Sequence, residues 1–518
     1  MSGRIRPHLA LATAPHEAAR RHGRVPLHLD RPLDLFPDAG TELDYTSFAE
    51  LVDRAAGLLT GAGITAGQRV MLVQQPNFNT PLLVFACARI GAVPVPVHAA
   101  VGAEPFGVMA ERAEAAALIT DAATEAAGVL DNVPLSTPRW YVGESGEHGR
   151  SLLDVTAGEL PPLLAPAKDT PQLVTHSSGT TGVPKLVLHT VDSFSGHAKP
   201  QVFIGKLLRV NYPYLLCLSP VHARTMSGLL AVFSLGLELG FLTDPEPDNA
   251  VAMLKKLRPG LVETVPNAFI RWEEIAEQQP ELFADVRMFV SSFDAAHPRT
   301  INTLLKAAHP KARYMQAYGQ TETGPITVKV HRLKMKCEDG RCVGRPVIGH
   351  TKVRITDENG HGQVPRETAG PIFARSSGVT PSYLGTPDQR VEGWWAMGDW
   401  GVISKRGCLH LYDRIVDRSG DVDSLLATED EILESLPQLT EAVLISVEGS
   451  LPVPLVCTRR DAPLDMDAWR KAVADMPALA DPVQCRWDDI PHTATWKVKR
   501  LEVARRLAAG ELVQLTER

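Results

Sequence analysis

Apolar and polar positions alternate between two periods over the first two-thirds of the chain. ELDYTSFAELVDRAAGLLTGAGI opens like a strand, then places Phe48, Leu51, Ala55, Leu58 and Leu59 at helical spacing until Gly61 and Gly63 end the helix. GQRVMLVQQPN is a short apolar run between turn formers, as a buried strand requires, and LLVFACARIGAVPVPV reads as helix, glycine stop and second strand. YLLCLSP, GLVETVP and VRMFVSS repeat the pattern, each a buried-strand candidate followed by a helical stretch. Strand–helix–strand alternation with short links predicts layered α/β structure with mostly parallel sheets.

After residue 345 the texture changes. HTKVRITDENG, GPIFARSSG and GCLHLYDR are short strands split by glycine-rich turns, which predicts a smaller β-rich subdomain. TEDEILESLP, AVLISVEG, LPVPLVCTRR and MDAWRKAVADM then form a compact α+β module of ~100 residues, an ordinary small-domain size. The expected fold class is α/β: a large N-terminal domain of layered α/β subdomains with a small β-rich subdomain, followed by a small α+β C-terminal domain. No internal repeat or low-complexity tract interrupts this order.

Composition narrows the function classes. At 518 residues, 44% hydrophobic and 22% charged, the chain can bury more than one core. Its net charge of −7 is spread over mixed signs, which argues against a basic nucleic-acid face and an acidic tail. Seven scattered cysteines, an odd number, make no disulfide framework. Cys337 and Cys342, with His331 upstream, lack a nearby fourth ligand for a tetrahedral metal site, and CEDGRC reads as a hairpin tip. The first residues contain no uninterrupted apolar core of a signal peptide. Met226 to Leu242 is the longest apolar stretch, but Ser227, Ser234 and Glu238 interrupt it, so it reads as a buried helix rather than a membrane span. A cytoplasmic protein with neither membrane nor nucleic-acid partner is expected.

The most informative segment is THSSGTTGVPKLVLHT, Thr175 to Thr190. Ser177, Ser178, Gly179, Thr180, Thr181 and Gly182 precede Lys185, and a strand-like run follows. Glycines let successive N–H groups converge, while hydroxyls and a lysine add donors for anionic oxygens, so this is a phosphate-gripping loop. It is not a Walker loop, because Val-Pro-Lys follows Gly182 where that motif needs Lys directly.

From Ser177 to Lys185 the segment resembles the [ST]SGTTGxPKG loop of the adenylate-forming superfamily, which includes acyl-CoA synthetases, peptide-synthetase adenylation domains and luciferase. It departs at Leu186, where glycine is usual. Further landmarks follow in the family's order: AYGQTETG (Ala317 to Gly324) resembles YGxTE, and GDWGVISKRGCLHLYDR (Gly398 to Arg414) resembles GDxG…GR. PHTATWKVKR (Pro491 to Arg500) resembles PxTxxGKxxR, with Trp496 for glycine. The resemblance spans nearly the whole chain. It implies an enzyme that joins an acid to AMP from ATP and releases pyrophosphate. It implies that Tyr318 stacks on adenine, that Thr321 donates to the α-phosphate and that Glu322 holds Mg²⁺. Asp399 and Arg414 would bind the ribose, and Gly319 would line the acid. Lys497 would be the catalytic cation, bridging acid and α-phosphate as their repulsion builds. It further implies an ATP- and acid-binding domain over residues 1–414, a hinge at 415–417 and a mobile lid domain over 418–518.

Departures from the family pattern bear on the acid and its acceptor. At the hinge position, where the family has Asp or Lys, stands Val416 with Asp417 next; Asp421 and Asp423 occupy a region where the family lines a pantetheine tunnel with glycines. Carboxylates beside a CoA phosphate path repel it. In LSPVHARTMSG, aligning His222 with the family's aromatic position puts Ala223 where amino-acid activators keep an aspartate, which argues against an α-amino acid. Arg224 is read either as solvated or as facing the pocket and favouring an anionic group. SSFDAA replaces GGAP, and its Phe293 and Asp294 narrow the pocket. Transfer to CoA, as in acyl- or aryl-CoA synthetases, is the leading expectation. Transfer to a carrier protein or other nucleophile is the second, and activation of nitrite, as in diazotising members, the third. A non-catalytic nucleotide-binding relative is the alternative outside enzymes, against which Lys185, Glu322, Asp399 and Lys497 argue together.

Overall fold

The computed structural model describes residues 9–177, 183–294, 296–333, 341–416, 424–446, 450–492 and 498–512. Strands β1 (Pro26–Leu29) and β2 (Glu42–Asp44) lead into the helix Tyr45–Gly61. Asp44 caps that helix reciprocally: its carboxylate accepts from the Ser47 amide at 2.8 Å, and the Ser47 hydroxyl accepts from the Asp44 amide at 2.9 Å. Phe48, Leu51, Ala55 and Leu59 are buried on its inner face, as their spacing predicts.

A five-stranded parallel sheet follows, built from β3 (Arg69–Leu72), β4 (Val93–Pro96), β5 (Ala117–Thr120), β6 (Arg139–Tyr141) and β7 (Arg150–Ser151) in the order β4-β3-β5-β6-β7. Next come β8 (Pro171–His176) and β9 (Leu186–Thr190), an antiparallel pair that carries the phosphate-loop sequence between its strands. Val174 and Leu186 of this pair share a core with Met71 and Val95 of the five-stranded sheet.

The second parallel unit comprises β10 (Tyr214–Cys217), β11 (Leu239–Phe241), β12 (Leu261–Thr264), β13 (Met288–Ser291) and β14 (Arg313–Gln320). Antiparallel strands follow: β15 (Gly324–His331), β16 (Cys342–Pro346), β17 (Thr351–Ile355), β18 (Gly370–Ser376), β20 (Trp395–Ile403) and β21 (Leu409–Arg414). Strand β19 (Ser382–Tyr383), between β18 and β20 in the chain, instead pairs with β9. The resulting order is β17-β18-β20-β21-β16-β15-β14-β13-β12-β10-β11-β1-β2. The β-rich region predicted after residue 345 is therefore present, and β16 joins it through β15 to β14, the last of the parallel strands. In the C-terminal part, β22 (Leu439–Ile445), β23 (Val453–Thr458) and β24 (Val483–Gln484) form a three-stranded sheet covered by the helix Leu425–Ser435.

The apolar stretch read as one buried helix is corrected. The helix runs only from Ala223 to Leu235, and β11 follows. Gly236 takes φ 68°, and its amide donates to Val232 O, so a left-handed cap ends the helix before Glu238. Among the described residues no helix is long and apolar enough to cross a membrane.

Candidate active site

The C-terminal ends of β13 and β14, the β8–β9 pair and the β20–β21 pair surround a cavity of about 510 Å³. Of the expected site residues, Ser177, Lys185, His222, Ala223, Arg224, Phe293, Gly319, Thr321, Glu322 and Arg414 all line it. Ser178, Gly179, Thr180, Thr181, Gly182 and Lys497 lie outside the described residues. The two ends of the phosphate-loop sequence are clasped together: the Ser177 amide donates to Lys185 O at 2.9 Å, and the Lys185 amide donates to Ser177 Oγ at 3.0 Å.

A tight hairpin presents Thr321 and Glu322 to this cavity. A Cβ on Gly319 would stand 2.0 Å from the Gly324 carbonyl oxygen, and Gly324, at φ +65°, packs against His197, so both positions require glycine. Glu322 is buried at 8% exposure, and burial raises its pKa above the ordinary carboxylate value. The Tyr383 hydroxyl donates to its Oε1 at 3.0 Å, and Lys185 Nζ sits 4.8 Å over the Tyr383 ring. A buried acid with one neutral donor and a cation at the rim fits a hard divalent ion held jointly with phosphate oxygens.

Asp399 and Arg414 face each other across the β20–β21 register, with Arg414 Nε 3.8 Å from Asp399 Oδ1. The Tyr318 hydroxyl donates to Asp399 Oδ2 at 2.6 Å, and Gln320 Nε2 donates to the same oxygen at 3.3 Å. Tyr318, Asp399 and Arg414 also line a neighbouring cavity of about 210 Å³, whose opposite wall is Glu429, Asp430, Glu441, Val498, Arg500 and Leu501. Val498, Arg500 and Leu501, just after Lys497, thus share a cavity with Tyr318, Asp399 and Arg414. Arg500 is held in place by a 2.6 Å ion pair to Glu429 and a 2.7 Å bond to Leu444 O. Asp413 ties this wall to β21 by accepting from the Leu425 and Leu426 amides at 3.3 and 3.2 Å.

At the acid end Arg224 lines the cavity and is paired. Its guanidinium makes a two-pronged ion pair with Glu263, Nε and Nη2 each 2.6 Å from a carboxylate oxygen. Glu263 is fully buried and also accepts from the Tyr214 hydroxyl. Arg224 thus faces the cavity, as one of the two readings had it, with its guanidinium fixed on a buried carboxylate partner. Phe293 adopts φ 80°, a strained value for an aromatic residue, and its ring stands 5.3 Å from His222. His222 in turn lies 6.2 Å from His176, whose Nδ1 donates to Ser177 O at 2.9 Å and whose Nε2 accepts from the His98 amide at 3.4 Å. Both bonds set the neutral tautomer, and burial lowers the His176 pKa.

Tyr383, Glu263, Tyr214 and His176 were not identified from sequence. His176 adjoins the phosphate-loop motif and could have been included on that ground; the other three sit in separate strands and become neighbours only through sheet order.

A parallel sheet whose C-terminal edge meets a hydroxyl-rich loop sequence on the β8–β9 pair, a buried acid at the β14–β15 turn and an Asp–Arg pair on β20–β21 is the frame of a nucleotide-using α/β enzyme. The chain belongs to the AMP-binding enzyme family, which matches residues 16–384, and is an adenylate-forming ligase. It is 34% identical over 523 residues to 3-amino-2-hydroxy-4-methoxybenzoate diazotase of Streptomyces cremeus, covering 95% of this chain and 94% of that one. It is 25% identical over 443 residues to salicyl-AMP ligase / salicyl-S-ArCP synthetase of Mycobacterium tuberculosis, covering 80% and 75%. The fold matches ATP-bound MatB from Rhodopseudomonas palustris with a TM-score of 0.79 at 20% identity, covering 96% and 99%.

Proposed function

We propose that this enzyme adenylates nitrite and transfers the nitrosyl group to an arylamine, acting as a diazotase. The observation that carries the reading is the wall at the acid end of the cavity, where Arg224, held in place by Glu263, and the Phe293–His222 contact border the space the acid would enter. The extended similarity to a diazotase supports it. This reading puts the third expectation from sequence ahead of transfer to CoA or to a carrier protein.

In the first half-reaction a nitrite oxygen attacks the α-phosphorus and pyrophosphate leaves. Lys185 and the hydroxyl-rich loop hold the phosphates, and Thr321 donates to the α-phosphate. Asp399 and Arg414 hold the ribose, and Tyr318 faces adenine. Mg²⁺, held by Glu322, supplies charge neutralisation on the phosphates when bound. Lys497, carried on the lid of residues 418–518 that swings at 415–417, meets nitrite and the α-phosphate together. In the second half-reaction the amine nitrogen bonds to the nitrosyl nitrogen, the N–O bond to AMP breaks, and the amine gives up a proton. The diazohydroxide tautomer then takes up a proton on its oxygen and loses water, which yields the diazonium product.

Exchange of labelled pyrophosphate into ATP across an acid panel tests this. Nitrite is expected to drive exchange, and aliphatic and aromatic carboxylic acids are not. Exchange driven by a carboxylic acid and not by nitrite would refute the proposal; thioester formation on adding CoA would then identify the acceptor.

A further inference from the structure

Beside the hinge, the lid is tied to the rest of the chain by its first helix. Ser424 Oγ donates to Tyr412 O at 2.8 Å, Asp413 accepts the Leu425 and Leu426 amides, and Asp430 pairs with Arg341 at 2.8 Å. A separate set of contacts joins Glu273, Glu274 and Arg299 of the large domain to Pro437, Leu439, Arg459 and Arg460 of the lid. We propose that this second set, centred on the Glu273–Arg459 pair, is a latch that holds the lid in the adenylate-forming pose and makes these side chains positioning residues for the first half-reaction. The inference rests on the lid reading above and not on the identity of the acid.

The geometry interlocks the two sides. Glu273 lies on the helix Pro266–Gln278 and is 4% exposed. Its Oε1 accepts from the Thr300 hydroxyl at 2.5 Å, while Arg459 Nη2 approaches Oε2 to 3.1 Å and Arg299 Nε to 3.6 Å. Arg299 reaches across the boundary as well: its Nη1 donates to Pro437 O at 3.0 Å and to Leu439 O at 3.4 Å. Those carbonyls come just after the lid helix Leu425–Ser435, at the end of a helix where a cation is favoured. Arg460 Nη2 meets Glu274 Oε1 at 3.4 Å. Two consecutive acids on one side thus receive two consecutive arginines from the other.

The turn that delivers these arginines is strained. Arg460 and Asp461 both take φ 54°, and adjacent non-glycine residues rarely share the left-handed region. Strain of this kind persists where the surroundings over-determine it, as two ion pairs to one helix do. The chemistry also lets the latch open. When Arg459 leaves, Glu273 keeps Arg299 and Thr300, so no buried charge is stranded. Arg459, whose side chain is 45% exposed, gives up little hydration on closing. Such a pair biases a two-state equilibrium without locking it, which suits a lid that must move between half-reactions. In the held pose Val498, Arg500 and Leu501 share a cavity with Tyr318, Asp399 and Arg414, and the expected catalytic Lys497 directly precedes them.

Pyrophosphate exchange at saturating nitrite tests the latch, with ATP affinity followed by calorimetry. Should nitrite drive no exchange, the nitrite reading fails by itself, and the same variants are measured with whichever carboxylic acid does drive it. Arg459→Ala is expected to lower the exchange kcat about three- to tenfold and to leave the ATP dissociation constant unchanged, because the lid spends less time in the productive pose. In a Glu273→Gln background the same substitution is expected to add little, since both residues act through one contact. Exchange by Arg459→Ala at the unsubstituted rate would overturn the inference. So would an equal fold loss in both backgrounds, which would show the two residues acting independently.

Discussion

Arg224 offers the sharpest test of how the acid end is walled. Arg224→Met would leave Glu263, at 0% exposure, facing only the Tyr214 hydroxyl in the interior. Removing one partner of a buried ion pair costs about 3–5 kcal/mol, because the remaining charge loses its compensation. Glu263→Leu alone should cost less, since the Arg224 side chain keeps 15% exposure and a 3.3 Å contact to Ser227. Replacing both charges by apolar side chains removes the uncompensated charge and leaves one orphaned hydroxyl on Tyr214, worth about 1–3 kcal/mol. The triple substitution Arg224→Met/Glu263→Leu/Tyr214→Phe should therefore recover most of the lost stability and present an apolar wall to the cavity. Urea unfolding measures the first part, and pyrophosphate exchange with small carboxylic acids measures the second. A loss below about 1 kcal/mol in Arg224→Met would refute the claim of a buried, mutually dependent pair. A stable triple variant that still accepts nitrite and rejects every carboxylic acid would show that the pair is not what excludes them.

Lys497→Ala should lower nitrite-dependent exchange about 100-fold or more while ATP binding, followed by calorimetry, stays near that of the unsubstituted protein. Tyr383→Phe removes the hydroxyl that donates to Glu322 Oε1; it should raise the Mg²⁺ concentration needed for half-maximal exchange several-fold, and an unchanged Mg²⁺ dependence would detach Tyr383 from the acid's role. Burial, followed by the charges of Glu429 and Asp294, lifts Glu441 from the ordinary 4.5 to about 8. An acid raised in this way contributes stability fully below 4.5 and loses that contribution as pH climbs through 8. Melting temperature should therefore fall more steeply from about pH 5 to about pH 8 in the unsubstituted protein than in Glu441→Gln, and parallel curves would place the effect elsewhere.

What was legible in the sequence was whatever a local rule controls. Helix Tyr45–Gly61 shows its buried face and capping box within one segment, and β10, β12 and β13 are short apolar runs bounded by turn formers. The family resemblance carried the site further, because its motifs mark strand ends that the fold gathers around one cavity. Long-range pairings were not legible. Glu263 stands in an apolar run and gives no sign that Arg224 and Tyr214 will meet it, since only the adjacency of β10 and β12 brings the three together. Tyr383 escaped notice for the same reason: its two-residue strand crosses to pair with β9 beside Lys185. The stretch Met226 to Leu242 was misread because hydropathy averages over a helix and a strand, and one glycine divides them.

An acid pocket hostile to larger acids is what the energetics of so small a substrate demand. Nitrite has three heavy atoms, and even the most efficient small ligands gain no more than about 1.5 kcal/mol per heavy atom, so its binding energy is bounded near 4.5 kcal/mol. That corresponds to a dissociation constant on the order of 1 mM, and exchange should show a nitrite KM of about that size or higher. An open pocket would let any cellular carboxylic acid add the apolar contacts nitrite lacks and outcompete it, because attraction alone cannot favour the smaller ligand. Selectivity must then come from the wall itself, and Arg224, held by Glu263, gives the cavity a charged face in place of the apolar wall that a fatty or aromatic acid would exploit. A submicromolar nitrite KM would break this argument, since it would require contacts that three atoms cannot make.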